Sequence, residues 1–284
     1  MFESKKLKNW TELYWNQIKR NIGLISFLDQ EKLRETPIAV FGLGGLGGPL
    51  SEQLVRSGCE KIVLCDNEKF EESNLNRQLC TRDEIGKYKV DVIEEFLKNV
   101  NPEIEIHKFY KITIKNISEI LKSIKISALT LDDPIISILI SRECLKNQIP
   151  VIESWGFPYI CAWWFTKDSI NYEECYGLGT QGIMIKELNE SKKLHLSIKD
   201  SLISKVFQFP NLQEYCDREP GAFNGMKSGK LPLRSFAPMI RMSAAYLTFE
   251  ITFAGILNIK KMILAPQVIG FDYIRMKSFE FSFI

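Results

Sequence analysis

Histidine is scarce: His107 and His195 are the only two in 284 residues, and neither falls in a recognisable acid–base constellation. The seven cysteines, at 59, 65, 80, 144, 161, 175 and 216, form no CxxC pair. Their odd number and scatter argue against a disulfide framework. Charge of one sign is also lacking, since 37 Lys+Arg face 35 Asp+Glu. A net charge of +2 gives no general attraction to nucleic acid or membrane, so partners must be recognised locally. No long hydrophobic run is present either. Met1 to Lys8 has no apolar signal core, and the most apolar late stretch, Ala237 to Leu257, is broken by Arg241 and Glu250. These absences predict a cytoplasmic protein, and the length suits one large α/β domain with appendages.

Against them stands one dense feature, Ile38-Ala39-Val40-Phe41-Gly42-Leu43-Gly44-Gly45-Leu46-Gly47-Gly48. An apolar strand running into glycines predicts a strand-to-helix turn where bare backbone can approach a phosphate. The helix N-terminus beyond it offers unpaired N–H donors. A tight glycine crossing also serves purely structural ends, so the surrounding elements must decide.

Leu7, Trp10, Leu13, Tyr14 and Ile18 recur at helical spacing and predict an N-terminal helix ending near Gly23. Ser26 and Asp29 form a capping box for a short helix through Arg34. Strands are then expected at Ile38 to Phe41, Lys61 to Cys65, Ile104 to Phe109, Ile126 to Leu131 and Val151 to Glu153. Helices at Gly47 to Ser57, Lys87 to Val100, Ile117 to Ile124 and Ile135 to Lys146 alternate with them. This rhythm predicts a Rossmann-like, mainly parallel sheet with helices on both faces. Beyond a strand at Cys161 to Phe165 the rhythm fails. Residues 186 to 235 read as a long mobile loop with short helices, Ala237 to Leu257 as a helix, and Gln267 to Ile284 as terminal strands. The expected organisation is a helical dimerisation arm (1–36), a nucleotide-binding core (37–165) and a substrate-side region (166–284).

Asp66 ends the second strand, where an acid can accept hydrogen bonds from a ribose, whether of NAD or ATP, or simply cap a turn. The loop Glu72-Ser73-Asn74-Leu75-Asn76-Arg77-Gln78 and Lys89 separate the two ligands. A triphosphate with about four negative charges needs Arg and Lys around it, whereas a dinucleotide seldom needs an added cation cluster. Singly, Arg77 and Lys89 are ordinary surface cations; together, in this order, they favour ATP. Thr130-Leu131-Asp132-Asp133 then ends a strand on the edge where open parallel sheets bind ligands. Asp132 is assigned to the Mg²⁺ that accompanies ATP, and Asp133 to capping the helix that begins at Pro134.

This ordered set resembles the ThiF/MoeB/HesA family, bacterial relatives of the ubiquitin-activating enzymes. The resemblance runs from Lys19-Arg20-Asn21-Ile22-Gly23-Leu24 through the glycine turn, Asp66, Ser73 to Gln78 and Lys89-Val90. It continues through Asp132, twelve residues before Cys144, to Arg234-Ser235-Phe236-Ala237-Pro238-Met239. It implies an adenylating enzyme, in which a substrate carboxylate attacks the α-phosphate of ATP and pyrophosphate leaves. By family position Gly42, Gly44, Gly45, Gly47, Asn74, Arg77, Gln78 and Lys89 would surround the nucleotide. Asp66 would hold its ribose, Asp132 its Mg²⁺, and Arg20 would reach across a homodimer into the neighbour's site. Its alternative role is that of a cation at a helix C-terminus.

The sequence departs from the family where MoeB and ThiF carry two zinc-binding CxxC pairs. Here the first becomes Cys175-Tyr176-Gly177-Leu178 and Cys216 stands alone, so no zinc is expected. Rhodanese and ubiquitin-fold modules are also absent, which argues against a full ubiquitin-type activating enzyme. Cys216, with Arg218 nearby to favour a thiolate, and Cys175 are candidates for a thioester, although incidental cysteines are commoner. The resemblance offers two acceptors: a ribosomal precursor peptide, as in microcin C or pantocin pathways, or the glycine-ended tail of a sulfur-carrier or ubiquitin-like protein. The missing zinc and the aromatic group Trp155, Phe157, Tyr159, Trp163 and Trp164 lean toward a peptide, with core packing as those rings' other role. The rival classes are an NAD-dependent oxidoreductase and a non-catalytic nucleotide-binding scaffold.

Overall fold

The computed structural model describes residues 6–156 and 158–284; Phe157 of the aromatic group lies outside them. Thr11 caps α1 (Glu12–Ile18) by accepting from the Tyr14 N–H at 3.0 Å. This helix stops short of Gly23, because the Asn21 carbonyl takes the Leu24 and Ile25 N–H groups and Gly23 adopts a φ of +114°. The Ser26–Asp29 capping box opens α2 (Phe27–Glu35) as expected.

The core follows as β1 (Ile38–Phe41), α3 (Gly47–Arg56), β2 (Lys61–Cys65), α4 (Lys89–Val100), β3 (Glu105–Phe109), α5 (Ile117–Ile120), β4 (Ile126–Leu129), α6 (Pro134–Lys146) and β5 (Val151–Glu153). Then come β6 (Tyr159–Cys161) and β7 (Trp163–Phe165). The principal sheet has the order β3-β2-β1-β4-β5-β7, parallel except for β7. Strands β1 and β4 are wholly buried, as expected for a parallel sheet covered on both faces. Two apolar clusters form, one on each face of the sheet.

The single strand expected over Cys161 to Phe165 is two. β7 pairs with β5, while β6 joins a second sheet of order β6-β8-β9, built with β8 (Gln267–Asp272) and β9 (Lys277–Ser282). Trp163 and Trp164, adjacent on β7, point to opposite faces and enter the two different clusters. Tyr159, Trp163 and Trp164 are each at most 1% exposed. Half-buried Trp155 packs against Trp163, Tyr176, Phe209 and Phe283. These rings are core, and they withdraw the aromatic argument for a peptide.

Residues 186 to 235 hold the expected short helices, but helix dominates the stretch in place of a long loop. They hold most of α8 (Ile185–Glu190), then α9 (Lys192–Val206), α10 (Leu212–Cys216) and α11 (Ala222–Lys227), after a short α7 (Tyr172–Cys175). Leu188, Ile198, Val206, Leu212, Phe223 and Met226 are buried. Sparse apolar residues in a polar stretch suffice when each is spent on the core. The last helix, α12 (Ala237–Glu250), gives way to a π-helical segment, Ile251–Ile256, where Gly255 lies directly against Ile126 and Trp164.

Glu153 ends β5 wholly inside the protein. The Tyr176 hydroxyl donates to it, and burial pushes its pKa up to about 7 despite that bond and the indoles of Trp155 and Trp163. Unfolded, the same carboxyl titrates near 4.3. The native state therefore holds the proton more tightly, and stability falls as pH rises from about 4.3 through about 7, by on the order of 3 kcal/mol in all. Glu153→Gln is expected to flatten that decline in chemical denaturation series at pH 4.5 to 7.5; an unchanged slope would assign it to other groups.

Candidate functional site at the glycine turn

β1 delivers its C-terminal end beside the ends of β2 and β4, and the glycines between β1 and α3 divide by what a side chain would meet. A Cβ on Gly47 would lie 1.8 Å from the Gly42 carbonyl oxygen and 2.6 Å from the Thr130 Oγ1; one on Gly42, at φ +93°, would lie 2.7 Å from the Thr130 carbonyl oxygen. These two glycines let helix and strand cross. Thr130 locks the crossing by donating to the Gly42 carbonyl at 2.7 Å. Gly44 and Gly45 are partly open, with nearest atoms at 3.6 and 3.3 Å from a built Cβ. No side chain caps α3; within its first turn the Gly48 N–H donates to the Gly44 carbonyl at 3.2 Å and Pro49 has no N–H, which leaves the Gly47 N–H as the first-turn donor for a ligand.

Asp66, one residue past β2, braces the turn. Its Oδ2 accepts from the Leu43 N–H at 2.6 Å and its Oδ1 from the Glu68 N–H at 2.7 Å. Burial pushes its carboxyl above the ordinary range, while these two bonds and the Lys89 charge oppose the rise. Lys89 opens α4, is 3% exposed and pairs with Glu68 at 2.5 Å. A lysine so deeply held is no solvated surface cation. Arg77 is oriented by its own loop, donating to the Ser73 carbonyl at 3.1 Å and the Asn76 Oδ1 at 2.8 Å. Asn74 is buried and turned into the loop, where its Oδ1 accepts from the Glu71 N–H at 3.1 Å. Gln78 is buried beside Gly44, and its Oε1 has no hydrogen-bond partner among the described residues.

Asp132 follows β4 at the mouth of this cluster, open to water on one side. The protein packed around it, and next the like charge of Glu68, raise its carboxyl pKa; Lys89 and Arg77 oppose them. Asp133 caps α6 as expected, its Oδ1 accepting from the Ile135 and Ile136 N–H groups at 2.9 and 3.1 Å. No group of three His, Cys, Asp or Glu side chains suited to a metal occurs among the described residues. A single carboxylate still matches what Mg²⁺ takes from protein when phosphates and water complete its shell. The Gly47 N–H, two partly open glycines and two held cations fit a nucleotide phosphate chain.

The structure therefore gathers Gly44, Gly45, Asp66, Gln78, Lys89, Arg77 and Asp132 around one opening. It does not bring Arg20 there. The segment around Arg20 is fixed by Gln17 to Val55 and by Asn21 to Ser57, at the far end of α3 from the glycines, about 15 Å along the helix. Two participants carried no recognisable signal in the sequence. Glu68 needs the fold to meet Lys89, and Ile240 of α12 covers Gly45 from 195 residues away.

Cys216 ends α10 and lines a cavity next to this site; burial, with no opposing charge, raises its thiol pKa, so the thiolate help expected from Arg218 is not seen. Cys175 is fully buried, and burial raises its pKa as well. Separately, no helix among the described residues is long and apolar enough to cross a membrane.

The chain is 32% identical over 121 residues to ubiquitin-like modifier-activating enzyme 5 of Drosophila grimshawi, a match covering 42% of this chain and 30% of that one. It thus spans about a third of the length of the curated relatives it matches. Among solved structures, PaaA superposes with a TM-score of 0.68 at 20% identity, covering 98% of this chain and 86% of PaaA. E. coli MccB with ATP gives a TM-score of 0.62 at 21% identity, covering 90% of this chain and 66% of MccB. MccB has also been solved with AMPCPP and MccA. The likeness to both is one of fold. Residues 17–281 match the ThiF family, and with that span, this sheet and this glycine turn the chain belongs to the ThiF family.

Proposed function

We propose that the chain is an ATP-dependent adenylyltransferase that activates a carboxyl group on a peptide, in ribosomal-peptide modification. The observation that carries this is the convergence of buried Lys89, oriented Arg77 and Asp132 on the uncapped glycine turn. The backbone of Gly44, Gly45 and Gly47 would hold phosphates, joined by Arg77, Gln78 and Lys89, with Asn74 bracing the loop that carries Arg77; Asp66 would take the ribose. Asp132 would hold Mg²⁺, which when bound neutralises charge on the phosphate chain. An acceptor carboxylate oxygen forms a bond to the α-phosphorus, the bond to the bridging oxygen breaks, and pyrophosphate leaves. No base is needed, because the nucleophile arrives ionised. The relatives support this choice: MccB, a microcin C7 biosynthetic enzyme, has been solved with N-formylated MccA.

The reading includes a homodimer with residues 1–36 as its arm, 37–165 as the nucleotide-binding core and 166–284 as the substrate side, and it places the protein in the cytoplasm. Arg20, too distant from its own turn, would act on the partner's nucleotide, as arginine fingers do with gains of about 10³ to 10⁵ in rate. Mixing Arg20→Ala with Asp132→Ala subunits is expected to restore one competent site per mixed dimer. Failure to recover exchange would remove Arg20 from catalysis.

Thermal shift decides between this reading and an NAD-dependent oxidoreductase. Mg-ATP at 100 times its Kd is expected to stabilise the protein by about 2.7 kcal/mol, with NAD giving no shift. Selective stabilisation by NAD would overturn the adenylation reading. ATP binding with no pyrophosphate exchange toward any carboxylate would favour a non-catalytic scaffold.

A further inference from the structure

We propose that the acceptor presents a bulky apolar side chain next to the carboxylate that is activated, seated in the cavity between α10, α11 and the start of α12; this rests on the adenylation reading above. The cavity measures about 530 Å³, within the range of pockets that enclose small ligands. Pro158, Leu231, Phe236 and Met239 supply apolar wall, and Arg218 and Arg234 supply positive charge, with Glu219 the one carboxylate among the lining residues. Phe236 is 61% exposed, a large apolar surface left uncovered at the rim.

The cavity adjoins the nucleotide turn. One side chain, Ile240, lies against both Gly156 on the cavity wall and Gly45 in the turn. Asn76, beside Arg77, donates to the Ser235 carbonyl on the same wall at 3.0 Å. A ligand anchored here lies beside the glycine turn. The excess of arginine suits an acceptor that must arrive as an anion.

Size and polarity then decide which acceptor tails fit. A tail ending in consecutive glycines has no side chain to place, and would leave the apolar wall wet. A Leu- or Phe-sized group displaces that water and gains the burial. Pockets of this type discriminate by about 10- to 200-fold per methylene-sized difference, so the preference should be readily measured.

The test compares N-acetyl-Ala-Ala-Phe-Gly with N-acetyl-Ala-Ala-Gly-Gly, both with free α-carboxylates, in ATP–pyrophosphate exchange on the full chain. The Phe peptide is expected to show at least about 10-fold higher kcat/KM. Phe236→Ala, at an exposed rim position, and Ala222→Trp, which fills the cavity, should each erase that advantage while AMPCPP still binds. Equal rates, a preference for the glycine peptide, exchange with neither peptide in a protein that binds ATP, or a preference that survives both substitutions would overturn the inference. Absence of ATP binding in the unaltered protein would instead overturn the adenylation reading itself.

Discussion

Asp132→Ala is expected to lower substrate-dependent ATP–pyrophosphate exchange by at least about 100-fold, the scale for losing one preorganised electrostatic group, while the melting temperature stays near that of the parent protein. The separation arises because neighbouring aspartates have different work. Asp133, not Asp132, accepts the Ile135 and Ile136 N–H groups at the start of α6. Asp132 makes no cap and sits among Lys89, Arg77 and Glu68, whose charges bear on its own. Removing it also relieves repulsion with Glu68, which favours the folded state. Asp133→Ala is the mirror experiment, costing about 1 kcal/mol of stability with exchange retained. Unchanged exchange in Asp132→Ala, with substrate and Mg-ATP saturating, would take this residue out of the mechanism.

Gly47→Ala is expected to abolish the folded protein, and Gly44→Ala to leave it folded with ATP binding at least about 10-fold weaker. At residue 47 a methyl group would overlap the Gly42 carbonyl at 1.8 Å, with the Thr130 hydroxyl at 2.6 Å. The Gly42 carbonyl is backbone of the crossing of β1 and α3 and cannot swing aside, so a cost above about 4 kcal/mol follows, an exceptional value for one substitution. At residue 44 the nearest atom stands 3.6 Å away, at the end of the Gln78 side chain. The methyl is accommodated by the protein and projects where a phosphate would approach. Circular dichroism and ATP titration of the two variants check this. A native-like Gly47→Ala would refute the packing role, and undiminished ATP affinity in Gly44→Ala would refute the cradle.

Much of the fold was legible because its signals are local. The apolar runs of β1, β2 and β4, the Ser26–Asp29 box and the Asp133 cap act within a few residues, and each appears where its pattern predicts. The substrate side was not legible for the converse reason. In α9, only Ile198 and Val206 are buried out of fifteen residues, and no local period distinguishes that from a polar loop. The break between β6 and β7 is likewise invisible in Cys161 to Phe165, because it follows from two separate sheets competing for adjacent segments.

The site divides along the same line. The sequence by itself determined the chemistry on offer: a glycine turn after a buried strand, an acid after the second strand, two cations and a carboxylate in a fixed order. Only the tertiary structure decided how each is used. It separated Gly42 and Gly47, required by packing, from Gly44 and Gly45, which stay partly open. It buried Lys89 against Glu68, and it turned the aromatic group into core and left a cavity beside the turn instead. The physical reason is that burial and electrostatic environment are sums over neighbours distant in the chain, such as Ile240 over Gly45, whereas capping, turn geometry and strand pattern are settled by residues next to one another.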